Sequence, residues 1–436
     1  MAMGARETAE GVSFGERRRW PAKLPRFDRR VWLLVGTMLV YRFGQGLYYP
    51  FSTIYFHNIV GIPLSLIGIG LATLATTSVA SGLVCGPLTD RYGRKPPMLL
   101  ALSGSTATFL AFAFVGDFLG YLAVCIAAGL VGPAMFDAAR NAMVADIVPE
   151  GMRARAYGLV RVGGNVGWAS GPVAAGLIAA SAGTSATTYR AMFSGTAALI
   201  LAVLVALALL VRESLPKTSK TGEPKLSPLP RSKLRAAFTD APFVALLAAG
   251  LLLYYVFTQD WQALPVYAKN FLEVSDAQVG LFLAGNGLMV MLLQLPVAYL
   301  LDGHSKVAAL TVGAGLFAAS SMTLLVTESF LGVLIAFAGF FTLAEMILEV
   351  AGASLAAELA PIERRGTYLA LFGCCFGASY AISPVIAGLL LDARMPQVIW
   401  VLQLAATALG AVGLVLVSAL RRRRRRKVIS KNLVDG

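Results

Sequence analysis

Long apolar stretches alternate with short polar ones along this 436-residue chain. Twelve can be marked, at roughly 31–56, 64–86, 97–115, 118–146, 156–180, 190–211, 242–264, 277–300, 306–326, 330–357, 366–391 and 396–420. A helix needs about 20 apolar residues to cross a bilayer. In hydrocarbon only helices or closed barrels satisfy the backbone. These stretches are continuously apolar rather than alternating, so the pattern predicts helices. The longest polar interval, 212–241, holds Pro216, Pro224, Pro228 and Pro230 and divides the twelve into six and six.

A constant offset of 212 relates the two sets. Leu88 and Asp90 map to Leu300 and Asp302, and Arg94 maps to Lys306. Gly68 maps to Gly280, and Pro172 and Gly176 map to Pro384 and Gly388. Asp146, Pro149 and Arg153 map to Glu358, Pro361 and Arg365. The expectation is an all-α membrane protein with 12 transmembrane helices in two pseudo-symmetric six-helix bundles, 31–211 and 242–420. A tail at 1–30, a linker at 212–241 and a basic tail at 421–436 complete it. Six is even, so both bundles enter from one side, related by an axis along the membrane normal. Substrate is then expected near the midplane between them.

Composition agrees: 57% of residues are apolar and 14% charged, against roughly 25% charged in soluble domains. The net charge of +14 could suggest nucleic acid, but its placement argues for topology. Of 37 Lys and Arg, only Arg190, Lys269 and Arg394 fall in loops opposite the termini. Arg42 and Arg140 fall deep inside spans, and the rest lie on or toward the side of the termini. The positive-inside rule makes that side cytoplasmic, in a cell membrane. Arg17, Arg18 and Arg19 read as a basic anchor rather than a twin-arginine signal, and no cleavable signal peptide is expected. The run Arg421–Arg426 reads as a lipid-binding or stop-transfer element. Cys85, Cys125, Cys374 and Cys375 have no metal-ligand spacing and read as small core residues. His57 and His304 lie in opposite loops and cannot share a metal. No phosphate-binding loop or catalytic triad is present, so no enzyme, cofactor or metal is expected.

The densest charge lies in one loop, Gly86-Pro-Leu88-Thr-Asp90-Arg91-Tyr-Gly93-Arg94-Lys95. It resembles the loop between helices 2 and 3 of the major facilitator superfamily, Gly-x-Leu-x-Asp-Arg-x-Gly-Arg-Arg/Lys, with every slot filled. A second stretch has Gly158, Gly167, Gly171-Pro172 and Gly176. It is similar to that family's antiporter motif on helix 5, with Ala175 as the one departure. Glycines at such spacing let helices approach closely, and Pro172 supplies a kink, which reads as a flexing seam between the halves. The resemblance implies the twelve-helix drug:proton antiporter branch, alternating access, and a gate at the loop. It also implies that Asp90 faces the start of segment 11, near Arg364 and Arg365. Many members carry a helix 4 arginine that the stretch 122–129 lacks, and the second-half loop, Asp302 to Lys306, keeps one acid and one base.

Ionisable residues within spans are costly and default to functional candidates. Arg42 and Asp137 fall at matching depth in segments 1 and 4, and Arg140 stands three residues from Asp137. The set is either a static buried pair or a proton switch in which Asp137 titrates as its arginine moves. Glu349 is the repeat mate of Asp137, with Glu345 one turn away on the same face. These two either hydrogen-bond to neighbouring helices or carry a proton. Asp260, near the outer end of segment 7, is expected to be solvated. Aromatics Tyr41, Tyr48, Tyr49, Phe136, Tyr254, Tyr255 and Trp261 read either as packing or as the wall of a cavity for lipophilic, often cationic, compounds. Methionines 289, 291 and 346 would add adaptable surface. The leading expectation is a monomeric exporter exchanging small molecules for protons. The alternatives are a proton-coupled metabolite or sugar importer and a non-transporting receptor on the same scaffold.

Overall fold

The structure is a computed structural model that describes residues 27–149, 152–214, 231–361 and 364–434. A few side chains, Asp90 among them, lie outside that description. Most of the expected linker and nearly all of the N-terminal tail also lie outside the described residues. Twelve long helical rods are described. The first six are α1 (Arg29–Asn58), α2 (Leu64–Tyr92), α3 (Lys95–Phe112), α4 (Phe118–Ile147), α5 (Arg153–Ala182) and α6 (Ala186–Leu210). The last six are α7 (Ala241–Phe271), α8 (Asp276–Leu301), α9 (Lys306–Val326), α10 (Phe330–Leu359), α11 (Arg365–Asp392) and α12 (Pro396–Val434). A short helix, Arg231–Thr239, precedes α7.

Local chemistry sets the ends. Ser275 and Gln278 form a reciprocal capping box at the start of α8. The side chains of Asp117, Ser185 and Ser305 accept backbone N–H groups at the starts of α4, α6 and α9. Gly93 ends α2 at φ +98°, a conformation that favours glycine. Two rods are irregular at similar depth. α4 breaks at Val131 and Gly132, before Pro133, whose ring cannot donate a backbone hydrogen bond. α10 widens into a π-helix over Ile335–Phe341, where the Thr342 hydroxyl donates to the Phe337 carbonyl at 2.8 Å. Two expected boundaries shift. α7 continues past position 264, through Pro265, to Phe271, and α12 runs on to Val434 rather than ending at 420.

Within the first six rods, α1 packs along α5, α2 on α4, and α3 on α6; within the last six, α7 packs on α12 and α11, and α9 on α12. The two sets meet along α2–α11 and α5–α8. The 212 offset reappears in these contacts. A Cβ on Gly68 would overlap the backbone of Pro384, and one on its mate Gly280 would meet the backbone of Pro172. Gly388 sits against Leu64 and Ser65, and its mate Gly176 against Asp276 and Ala277. Asn58 and Asn270, themselves 212 apart, exchange side-chain amide hydrogen bonds at 2.9 and 3.0 Å. The repeat is therefore a two-fold relation in space.

By length and hydropathy, nine rods among the described residues suit a membrane crossing. The others, α1, α3 and α5, are less apolar. α1 carries Arg42 and Gln45, α5 carries Arg161 and Asn165, and α3 is short and rich in Ser and Thr. The polar groups of α1 line the space between the two sets, and those of α5 border a second space between α1, α4 and α5.

Candidate functional site: a central cavity and its carboxylates

A cavity of about 450 Å³ lies between the two sets of rods, within the range of small-molecule sites. Tyr48, Tyr49 and Trp168 wall it from the first six, and Phe257, Trp261 and Phe376 from the last six. The Trp168 and Trp261 rings pack 5.8 Å apart across the two sets. Two charged side chains reach the wall, Arg42 and Glu345. Toward the face that carries both chain ends, here the terminal face, a second space of about 630 Å³ opens between α1, α4 and α5. Arg42 and Trp168 border both spaces.

The far face is closed by contacts between the two sets. The Tyr49 and Tyr380 hydroxyls hydrogen-bond, and Gln262 donates to the Tyr49 hydroxyl at 2.7 Å. The Asp392 carboxylate accepts the backbone N–H groups of Leu64 and Ser65 at 2.9 and 2.8 Å. The Tyr189 hydroxyl donates to Asp276 at 2.7 Å. On the terminal side, the described polar contact between the sets is Arg161 with Glu349, at 3.4 Å.

The structure brings Arg42, Asp137 and Arg140 together. Asp137 accepts from Arg42 at 3.1 Å and from Arg140 at 2.6 Å. Arg140 also reaches Asn141 and the Met38 sulfur and lies over the Phe136 ring. Arg42 donates onward to Gln45 at 2.9 Å. The α10 carboxylates separate. Glu345 accepts from the Asn286 amide at 2.8 Å and has no ion-pair partner among the described residues. Glu349, one turn on, points to Arg161 at the terminal mouth.

Other expectations change. Tyr41 and Phe136 do not line the cavity: their rings pack at 5.0 Å inside the first set, with the Tyr41 hydroxyl 3.4 Å from Ser105. Tyr254 is buried against Phe372 and Phe376, and the Tyr255 hydroxyl is buried with no hydrogen-bond partner among the described residues. Met346 is buried and Met291 faces outward. Cys374 is exposed, whereas the other three cysteines are buried. Asp260 is fully buried rather than solvated, because α7 extends nearly three turns beyond it. Of the helix 5 glycines, Gly167 and Gly171 face α1 within the same set. Only Gly176 touches the other set, against Gly280, and Gly158 meets nothing. The glycine stripe is thus mainly an α1–α5 packing seam.

In the loop, Arg94 pairs with Asp146 at 2.9 Å and donates to the Thr89 carbonyl. Lys95 reaches the Ala208 carbonyl, and Arg91 lies over Tyr92. The Glu213 carboxylate, just past α6, accepts the backbone N–H groups of Arg94 and Lys95 at 2.9 and 3.0 Å. Leu88 is half-buried, while Gly86 and the Asp90 side chain, and with it the expected approach to Arg364 and Arg365, lie outside the described residues. Sequence reading missed Trp168, Tyr380, Asn286 and Glu213. Asn286, an amide within an apolar stretch, carried the clearest signal.

Comparison with known proteins fits this geometry. The sequence model of the Major Facilitator Superfamily matches residues 34–275 and 261–433. An uncharacterized MFS-type transporter of Bacillus subtilis (strain 168), YttB, is 25% identical over 84% of this chain and 89% of its own length. Multidrug resistance protein MdtH of Klebsiella pneumoniae (strain 342) is 26% identical over 90% and 93%. A crystal structure of a POT family transporter in complex with a thioalcohol-conjugated peptide superimposes with a TM-score of 0.73 at 14% identity. That likeness covers 90% of this chain and 96% of the other, and at such identity it speaks for the fold alone. With two matched six-rod sets around one central cavity, the chain belongs to the Major Facilitator Superfamily of membrane transporters.

Proposed function

We propose that the protein is a secondary exporter that exchanges lipophilic, often cationic, small molecules for protons by alternating access. One observation carries this reading: Glu345 enters an aromatic cavity with an amide partner but no cation among the described residues. A carboxylate without a counter-charge in low dielectric is costly. Either a proton or a cationic cargo relieves that cost, and one carboxyl group cannot take both. The aromatic faces around it favour flat or cationic cargo. Competition for Glu345 is therefore the exchange step. Likeness to a multidrug resistance protein supports the direction.

Roles follow from position. Asp137 holds Arg42 and Arg140 at the cavity floor. Glu349 and Arg161 guard the terminal mouth, and the loop of Arg94, Asp146 and Glu213 steadies α2, α3 and α4 behind it. The terminal face is cytoplasmic, from its excess of Lys and Arg. Inside-out vesicles carrying a pH gradient, challenged with lipophilic cations and neutral drugs, test the reading. Proton release on drug addition is expected. Accumulation only in right-side-out vesicles would establish the importer instead.

A further inference from the structure

Asp260 and Gln259 are fully buried on α7, and exchange at Glu345 makes no use of them. The Gln403 amide on α12 donates to Asp260 Oδ1 at 2.6 Å. Ser321 on α9 donates its hydroxyl to Gln403 Oε1 at 2.7 Å. Three helices of the second set thus meet in one polar chain. Among the described residues, Asp260 Oδ2 has no hydrogen-bond partner, nor have the Gln259 amide or the Tyr255 hydroxyl. No ion pair reaches Asp260 among the described residues. A native structure seldom leaves so many buried polar atoms unmatched without water, an ion or a proton to account for them. An unpartnered oxygen on a buried carboxylate is costly, and one proton on Oδ2 removes the charge while leaving the Gln403 bond to Oδ1 in place.

Among the described residues, the surroundings offer no substitute charge. α12 carries no ionisable side chain between Pro396 and Leu420, and α9 none beyond Lys306 at its start. Charged side chains within the other spans packed against α7 are engaged elsewhere: Glu345 with Asn286, Glu349 with Arg161, Arg42 with Asp137 and Asp276 with Lys269. On α11, Tyr380 binds Tyr49 and the Cys375 thiol meets the Leu247 carbonyl. Tyr255, five residues back on α7, is the ionisable group left beside Asp260. The next residue, Trp261, lies about 100° around the helix and faces the cavity. α7 therefore presents the cargo wall on one side and Asp260 on another.

We propose that Asp260, held through Gln403 and Ser321 between α7, α9 and α12, is a second proton-binding site, separate from the carboxylates of the cavity and the mouth.

Infrared difference spectroscopy of the full chain in lipid vesicles, titrated in pH, reads protonated carboxyl groups directly and needs no identified cargo. Asp260→Asn is expected to remove one titrating carboxyl signal that survives in Glu345→Gln. Gln403→Leu is expected to keep that signal but shift its frequency and midpoint, since its amide partner is gone. A spectrum unchanged in Asp260→Asn, or unmoved in Gln403→Leu, overturns the proposal. So does a wild-type carboxyl signal that follows sodium concentration at fixed pH, which would make the site an alkali-cation site. Should Asp260→Asn fail to fold, Asp260→Glu decides: a displaced signal supports the site, and an unchanged one overturns it. Failure of drug exchange in Glu345→Gln, measured separately, bears on the export reading and leaves this one untouched.

Discussion

The fourth and tenth rods occupy equivalent places in the two halves, and each carries a carboxylate at the same repeat position. Their electrostatics differ. In α4, Asp137 is shared by two guanidinium groups, Arg42 at 3.1 Å and Arg140 at 2.6 Å. In α10, the mate Glu349 pairs with the largely exposed Arg161, and Glu345 meets a neutral amide. One half holds an excess of positive charge around its acid, and the other holds an acid with no ion-pair partner among the described residues. On the proposed reading, the first of the two matched scaffolds holds charge and the second exchanges it.

Substitutions can break this contrast, and the largest effect is expected at Asp137. Asp137→Asn leaves two arginines without their anion in a part-buried site and should cost about 3 kcal/mol of stability. Thermal unfolding checks it, and adding Arg42→Gln should restore part of the loss. A variant as stable as the parent would show that α4 is not the charge-holding half. Glu345→Gln should behave in the opposite way. Its amide can still accept from Asn286, so unfolding should hardly move, while proton-driven drug exchange in vesicles drops at least tenfold. Equal losses of stability at both sites would erase the difference between the rods.

Smaller effects sharpen the picture. Trp261→Ala and Trp168→Ala each remove an aromatic face from the cavity. Such contacts are worth about 1 kcal/mol beyond area, so cargo affinity should weaken roughly five- to tenfold, read by equilibrium binding. Arg161→Gln should be mildest. Exposed ion pairs contribute little, so its transport rate should stay within about twofold of wild type at physiological salt, and a larger loss would move Glu349 from the mouth into the exchange step.

The apolar stretches, the loop motif and the 212 offset made the architecture readable before any coordinates. They also placed Arg42 and Asp137 at one depth, where they meet. Facing was less legible. A helix apolar all round carries no moment to say which side is the core, so Tyr41, Phe136, Tyr254 and Tyr255 could not be told from the true cavity wall. The Gly158–Gly176 stripe misled in the same way, since close spacing does not say which neighbour approaches. Asp260 was misplaced because an end marked by hydropathy stopped at 264, while the helix itself carried on to Phe271. Glu213 could not have been found from spacing, because it caps a helix more than a hundred positions away.

The seal at the far face has an energetic consequence. Asp392 closes it by accepting the free N–H groups at the start of α2, and Asn58 and Asn270 close it with one amide each. Water can replace each of these bonds nearly one for one, so the net gain is only about 1 kcal/mol for each amide–amide bond and roughly 2 kcal/mol for each bond to the carboxylate. A seal of this kind excludes solvent while it stands, yet asks little to be undone. The two ends of the transport cycle can then lie close in free energy, and a modest driving force suffices to turn it over.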